Sequence, residues 1–239
     1  MYDAFSQMEL LVGKAGTDRL GRAKIAVFGL GGIGSYVVET LARCGVGSLT
    51  LVDYDVVSSG NINRHLFALQ STVGRKKVQV AKERIRDIDE NILVHTYETF
   101  YNEDTAAVFD LKSYDYIVDA IGTMASKILL IQQAKACRVP VISCLPVCGR
   151  MNPARFEIAD ISKAGVCPAV RTMRTELRRR GVRRVKVLFS RERPRRLNEK
   201  DGSAEGDPGS GSISFVPGVA GLLAAGEVVK DILTDKTQK

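Results

Sequence analysis

The residues between Gly29 and Lys77 whose types and spacing could do chemistry are glycines, carboxylates, an amide and two cations. Gly29-x-Gly31-Gly32-x-Gly34 follows the apolar run Ile25-Ala-Val-Phe28 and enters a segment with helical periodicity. Glycines at such a turn let backbone N–H groups come close to a phosphate, and the helix N-terminus adds a partial positive charge. A second apolar run, Ser48–Val52, ends at Asp53, nineteen residues after Gly34. A carboxylate placed there accepts hydrogen bonds from a ribose. Asp55, Asn61, Arg64 and Lys77 follow. A dinucleotide-binding oxidoreductase needs the glycines and one acid, but leaves this amide and these cations without a task. Activation of an acid or carbonyl oxygen by ATP needs them: Arg64 and Lys77 neutralise triphosphate charge, and Asn61 orients a phosphate or the ribose. Arg64 and Lys77 are therefore the candidate catalytic residues, with Lys76 the alternative to Lys77. Gly29, Gly31, Gly32, Gly34, Asp53, Asp55, Asn61, Arg64, Lys77 and Asp119 are the candidate nucleotide ligands.

The elements that must position these residues alternate in type. Short helices are expected over 5–21, a strand over 24–29, a helix over 32–44 and a strand over 48–52. A helix over 76–88, a strand over 92–97, a helix over 104–111 and a strand over 115–118 ending at Asp119 come next. A helix over 124–137 then leads to a fifth strand over 139–143. The alternation predicts an α/β fold: a doubly wound, mostly parallel Rossmann-like sheet with helices on both faces and nucleotide at the C-terminal strand ends. After residue 150 the pattern changes to an antiparallel C-terminal extension, with strands over 156–159 and 185–189 and a basic helix over 168–180 stopped by Gly181. Residues 197–212 read as a flexible loop, 212–216 as a strand and 218–233 as a small-residue apolar helix suited to close packing, as at a subunit interface. Three segments result: an N-terminal helical segment (1–22), a Rossmann-like ATP-binding core (23–150) and a C-terminal extension (151–239).

The chain has 239 residues and a net charge of +8, but the charge is local. Residues 171–196 hold eleven arginines and one lysine against Glu176 and Glu192, a balance of +10 that leaves the rest at −2. Such a segment suits a polyanion, so Arg174, Arg178, Arg179, Arg183 and Arg184 are candidate nucleic-acid contacts, binding by shape and charge. No apolar run approaches the roughly 18 residues of a membrane span. The N-terminus has neither the basic start nor the apolar stretch of a signal peptide, so a cytoplasmic protein is expected. The five cysteines form no C-x-x-C pair, which argues against a zinc knuckle and for free thiols.

Gly29–Gly34, Leu51-Val-Asp-Tyr-Asp55, Asn61-Ile-Asn-Arg64 and Thr72-Val-Gly-x-x-Lys77 together resemble the ThiF/MoeB group of ubiquitin-activating-like adenylating enzymes. Within that group, Phe5-Ser-x-x-Glu-Leu-Leu11, Val166-Cys-Pro168 and Ser212-Ile-Ser-Phe-Val-Pro217 are most similar to bacterial tRNA threonylcarbamoyladenosine dehydratases. The resemblance covers nearly the whole chain. It implies a homodimer that uses ATP and magnesium to activate the carboxylate of threonylcarbamoyladenosine beside the tRNA anticodon and closes the side chain into a ring with loss of water. It also implies that Asp53 holds the ribose and that Asn61, Arg64 and Lys77 hold the phosphates. A sulfur-transfer or redox protein is a further candidate partner. The chain departs from the usual pattern where Gly122 replaces the second acid of Asp-x-x-Asp, where Gln7 replaces an N-terminal arginine, and where Pro146-Val-Cys148 replaces a Gly-Ala-Gly turn. Asp119 and Asp55 are then the candidate metal partners.

Smaller signals have a second reading. Cys144, Cys148 and Cys167 lie near the expected crevice or a helix start, yet idle thiols are commoner than covalent catalysts. His65 is an ordinary loop histidine or a nucleotide contact, and His95 is a strand residue. The rival functions are adenylation of a ubiquitin-like sulfur carrier, which often comes with a zinc-binding cysteine set, and a nucleotide- or tRNA-binding homologue with weakened catalysis.

Overall fold

The computed structural model describes residues 4–165, 168–195 and 211–234. Helix α1 (Ser6–Arg22) is interrupted at Gly13 (φ 72°, ψ 165°), so two short helices meet at a kink there, as the sequence suggests. Strands β1 (Lys24–Phe28) and β2 (Ser48–Val52) flank α2 (Gly32–Arg43), and α3 (Lys77–Ile88) leads to β3 (Leu93–Tyr97). Strand β4 (Tyr116–Asp119), α4 (Met124–Ala136) and β5 (Val141–Cys144) form the second half. Strand β6 (Phe156–Asp160), α5 (Pro168–Arg179), β7 (Lys186–Ser190) and α6 (Phe215–Leu233) complete the chain.

All seven strands join one sheet in the order β3-β2-β1-β4-β5-β7-β6. Every pairing is parallel except β6 against β7. The C-terminal extension thus widens the sheet itself, and a boundary at residue 150 falls inside one continuous hydrogen-bonded layer. The strand order runs outward from β1 to β3 and then restarts at β4 on the other side of β1. That reversal opens a crevice at the carboxyl ends of the two neighbours. Register aligns Val52, Phe28, Asp119 and Ser143 across it, so the residues that follow them converge.

Alternation along the strands buries both faces. Ile25, Val27, Leu49, Leu51 and Val118 join the core under α2, α3 and α6. Ala26, Phe28, Ile117, Val187 and Phe189 join the core under α4 and α5. Two segments differ from expectation. Residues 104–111 form only 3-10 turns at Ala106–Val108 and Leu111–Ser113. The chain bends there to set Phe109 edge-on to Phe28, 5.3 Å between ring centres, and Asp110 caps the second turn by accepting from Lys112 N–H. Residues 212–216 form no strand; helix α6 begins at Phe215 instead. Pro217 lies in its first turn, where a missing N–H costs no helical hydrogen bond.

Helix α6 packs along α2 through its small residues. A Cβ on Gly221 would lie 2.6 Å from both Ile33 O and Tyr36 Cβ, whereas one on Gly226 would meet nothing within 4 Å. Gly221→Ala is expected to destabilise the protein by about 1–3 kcal/mol through overpacking. Gly226→Ala should leave it unchanged or stabilise it by up to about 1 kcal/mol through helix propensity. Urea unfolding of both variants checks this, and equal midpoints would contradict it.

Candidate functional site

The glycine loop is a packed device with one open face. Gly29 has φ +91°, and a Cβ there would lie 2.6 Å from Ala120 O, so this position needs glycine on both counts. A Cβ on Gly34 would overlap the Gly29 carbonyl, which makes Gly34 the residue that lets α2 approach β1; it is a packing glycine and does not line the crevice. Gly31 is different, because only the His65 ring comes within 4 Å of its added Cβ, at 3.8 Å. Gly31 caps α2, whose first turn carries no acidic side chain, so its free N–H groups and dipole face the crevice.

Asp53 fastens this loop to the neighbouring strand. Its Oδ2 accepts from Leu30 N–H at 2.6 Å and its Oδ1 from Asp55 N–H at 2.8 Å. The buried carboxylate still borders the crevice, where it can accept from a sugar hydroxyl. The crevice has a volume of about 550 Å³ and is bordered by Gly31, Asp55, Arg64, His65 and Lys77 on one side, and by Gly122 and Cys148 on the other. Lys77 is buried at the start of α3, and its Nζ pairs with Asp55 Oδ2 at 2.7 Å. Arg64 donates to Gly60 O at 2.6 Å and Asn63 Oδ1 at 2.9 Å, which holds its guanidinium at the rim. Asn61 does not border the crevice: its side-chain oxygen accepts from Ser58 N–H at 3.2 Å and caps its own turn. Burial, with the Lys77 and Arg64 charges, pushes the His65 imidazole down to about 3. It is therefore neutral near pH 7 and offers no proton to a reacting group.

Beneath the crevice floor lies a group that residue patterning did not reveal. Asp119 is fully buried; its Oδ2 receives Lys127 Nζ at 3.0 Å and Ser143 Oγ at 2.5 Å, and its Oδ1 accepts from Ile121 N–H at 3.1 Å. Asp119 is thus corrected from a nucleotide or metal ligand to a structural anchor for the 120–123 turn, its oxygens spent on internal donors. Lys127 gives little signal in the sequence, because a lysine within a helix normally reads as solvated. The eight-residue spacing from Asp119 is its one sequence signal. Gly122, by contrast, is exposed, has an ordinary φ and has no atom within 4 Å of an added Cβ.

A model of the ThiF family matches residues 5–239. The chain belongs to the ThiF family. It is 41% identical over 245 residues to the tRNA threonylcarbamoyladenosine dehydratase of Bacillus subtilis, covering 98% of this chain and 96% of that protein. Identity to the Escherichia coli protein of the same name is 33% over 168 residues, 70% of this chain and 63% of the other. The crystal structure of the E. coli enzyme, TcdA, in complex with ATP aligns with a TM-score of 0.88 and 27% identity, covering 99% of this chain and 96% of that one. The adenylyltransferase and sulfurtransferase MOCS3 of Culex quinquefasciatus is 35% identical, but over 55% of this chain and 30% of its own.

The arginine segment of this ThiF-family chain is divided by the fold. Helix α5 precedes β7, so Arg178, Arg179, Arg183 and Arg184 cluster at the amino end of β7, which runs parallel to β5. The crevice is at the opposite, carboxyl end of the strands. Arg174 turns inward, donating to Ala164 O at 3.2 Å, and Arg179 pairs with Glu176 at 2.9 Å. These arginines are not brought to the nucleotide site. Cys144 borders the crevice, but burial pushes its thiol up to about 12, so it is protonated and a poor nucleophile. Cys148 is exposed at the crevice, whereas Cys167 and the loop expected over 197–212 lie outside the described residues or, for 211–212, at their edge.

Two outcomes follow from these geometries. Lys127→Met leaves the Asp119 carboxylate buried without its cation and should cost about 3–5 kcal/mol in urea unfolding; a loss under about 1 kcal/mol would contradict the anchor. For His65, the unfolded chain takes up a proton near pH 6.5 that the folded chain refuses until about pH 3. Stability is therefore present above pH 6.5 and falls on acidification. The fall due to His65 between pH 6.5 and 5 should be about 1.5 kcal/mol, and the His65→Asn variant should lack it. Parallel stability curves for the two proteins would sink this assignment.

Proposed function

We propose that this chain is an ATP-dependent dehydratase that cyclises N6-threonylcarbamoyladenosine in tRNA. The observation that carries the proposal is the meeting of an open glycine turn at a helix N-terminus with Asp53, Arg64 and Lys77 around one crevice at the strand-order reversal. Gly31 lets the backbone approach a phosphate, Asp53 takes the ribose, and Lys77 and Arg64 neutralise charge that builds on the phosphates during transfer. The B. subtilis relative's name gives the substrate class.

The reaction balances without a redox partner. The threonyl carboxylate oxygen attacks the α-phosphorus of ATP, forming an acyl adenylate and expelling pyrophosphate. The carbamoyl group of the same nucleoside then attacks the activated carbonyl, closing the ring, expelling AMP with the carboxylate oxygen and giving up an N–H proton, so that the nucleoside loses the elements of one water in total. Lys77, released from Asp55 by the incoming phosphates, meets their charge, while the neutral His65 adds no like charge beside Arg64. Magnesium, when bound, would supply positive charge against the phosphates. Among the described residues no three histidine, cysteine or acidic groups gather to hold a metal; Asp55, which borders the crevice, is the side chain that would hold it. A homodimer is supported by Leu10 and Leu11 of α1, exposed by 82% and 86%, and by Leu222 of α6 at 50%. No described helix is long and apolar enough to cross a membrane.

The test is incubation with ATP, magnesium and tRNA bearing threonylcarbamoyladenosine, followed by mass spectrometry of the nucleosides under mild conditions. ATP-dependent loss of one water, with AMP formed, is the expected result. ATP binding without AMP formation would identify a weakened homologue, and AMP transfer to a sulfur-carrier C-terminus without dehydration would identify the other rival. In the same assay Gly122→Asp, which the backbone accepts without strain, should raise turnover severalfold; no change would show that a second acid at this position is not what limits the rate.

A further inference from the structure

We propose that Arg155, Arg191, Arg193 and Arg195 form the groove that docks the phosphate backbone of the substrate tRNA's anticodon arm. The inference rests on the dehydratase activity proposed above, which requires that the modified nucleotide enter the crevice while the rest of the arm stays outside. Strand β7 ends at Ser190 on the crevice side of the sheet, and residues 191–195 continue from there. Strand β6 runs antiparallel to β7, with Phe156 opposite Ser190, so Arg155 arrives at the same end. All four arginines are exposed, and with Met151 and Asn152 they border a groove of about 560 Å³. The sequence placed tRNA contacts on the helix before β7 and on the turn after that helix; the fold puts those arginines a strand length away, about 16 Å for five residues.

The groove is fastened to the crevice wall. Arg195 N–H donates to Gly149 O at 2.7 Å, and Arg191 N–H donates to Arg155 O at 2.9 Å. The buried Arg150 donates to Pro146 O at 2.7 Å and Cys148 O at 3.1 Å on the crevice wall, and to Glu192 O at 3.3 Å on the arginine strap. Pro146 and Cys148 themselves border the nucleotide crevice. The acidic groups nearby are already engaged. The Glu192 carboxylate accepts from Met151 N–H at 3.0 Å and Asn152 N–H at 2.8 Å, and Glu157 pairs with Arg191 at 2.5 Å. Glu192 itself borders the groove and attracts Arg195, but one carboxylate against four exposed guanidiniums leaves the lining net positive. No aromatic side chain borders the groove, so it has no platform for stacking bases and suits a phosphodiester backbone read by charge and shape.

The experiment compares wild type with R193Q/R195Q and with the charge-matched far-face variant R178Q/R183Q. Binding of the modified tRNA is followed by fluorescence anisotropy over a salt series, and dehydration by mass spectrometry. R193Q/R195Q is expected to weaken tRNA binding at least tenfold, lower the salt slope by about 2 and raise KM for tRNA, with ATP binding kept as the check on folding. R178Q/R183Q is expected to weaken binding less than threefold. Equal losses in both variants, or an unchanged R193Q/R195Q in a wild-type background that dehydrates tRNA, overturn the groove alone. Loss of affinity for an acidic protein but not for tRNA assigns the groove to a protein partner and likewise overturns it. A wild type that neither binds nor dehydrates the tRNA removes the functional proposal, and the groove with it.

Discussion

The carboxylate of Asp53 is the interaction on which the site depends. One oxygen holds Leu30 in the glycine loop and the other holds Asp55 two residues downstream. A single buried group thus fixes the end of β1 relative to the end of β2. Through Asp55 it also fixes the partner of Lys77, and through Leu30 the entry to α2. Charge-assisted hydrogen bonds from backbone N–H groups are stronger than neutral ones and are directional. The loop is therefore shaped before any ligand arrives, and less of a ligand's binding free energy goes into ordering it.

A second anchor performs the same task across the crevice. Asp119, Lys127 and Ser143 join the ends of β4 and β5 to α4 beneath the floor. Two buried charges of this kind add little net stability, because desolvation offsets most of their attraction; what they supply is a geometry that fails if either partner is lost. Arg150 extends the pattern by tying the wall at Pro146 and Cys148 to the chain leaving β7. The crevice and the arginine-lined groove are consequently parts of one hydrogen-bonded framework.

Most of the sheet was legible because its strands are short apolar runs set between amphipathic or small-residue segments, and two-sided burial enforces that pattern. The exceptions have local causes. Residues 104–111 carry helical spacing, but the contact of Phe109 with Phe28 bends the chain into 3-10 turns. Ser212–Val216 alternates like a strand, yet β6 already occupies the sheet edge beyond β7, and Pro217 suits the first turn of a helix. Gly31, Asp53, Arg64 and Lys77, expected together from their spacing, do border one crevice. Asn61 and Asp119 lie on the right segments, but their oxygens are turned to internal donors. Spacing places a residue near a site; which way its polar atoms face depends on neighbours from distant segments.

The sequence by itself determined the family and the local parts of the crevice: a glycine turn, an acid at the next strand end and two cations, each set by residues within one βα unit or the next. Such features are short-range, so the pattern that forms the strand and helix also fixes where the glycine turn and the acid must lie. Tertiary structure alone decided which arginines share a side with the crevice. The segment from 171 to 195 is continuous in sequence, but β7 passes through its middle and carries its two halves to opposite ends of the sheet. Charge can be counted along a chain, whereas the direction of a strand in its sheet is fixed by hydrogen bonds to neighbours far away in sequence.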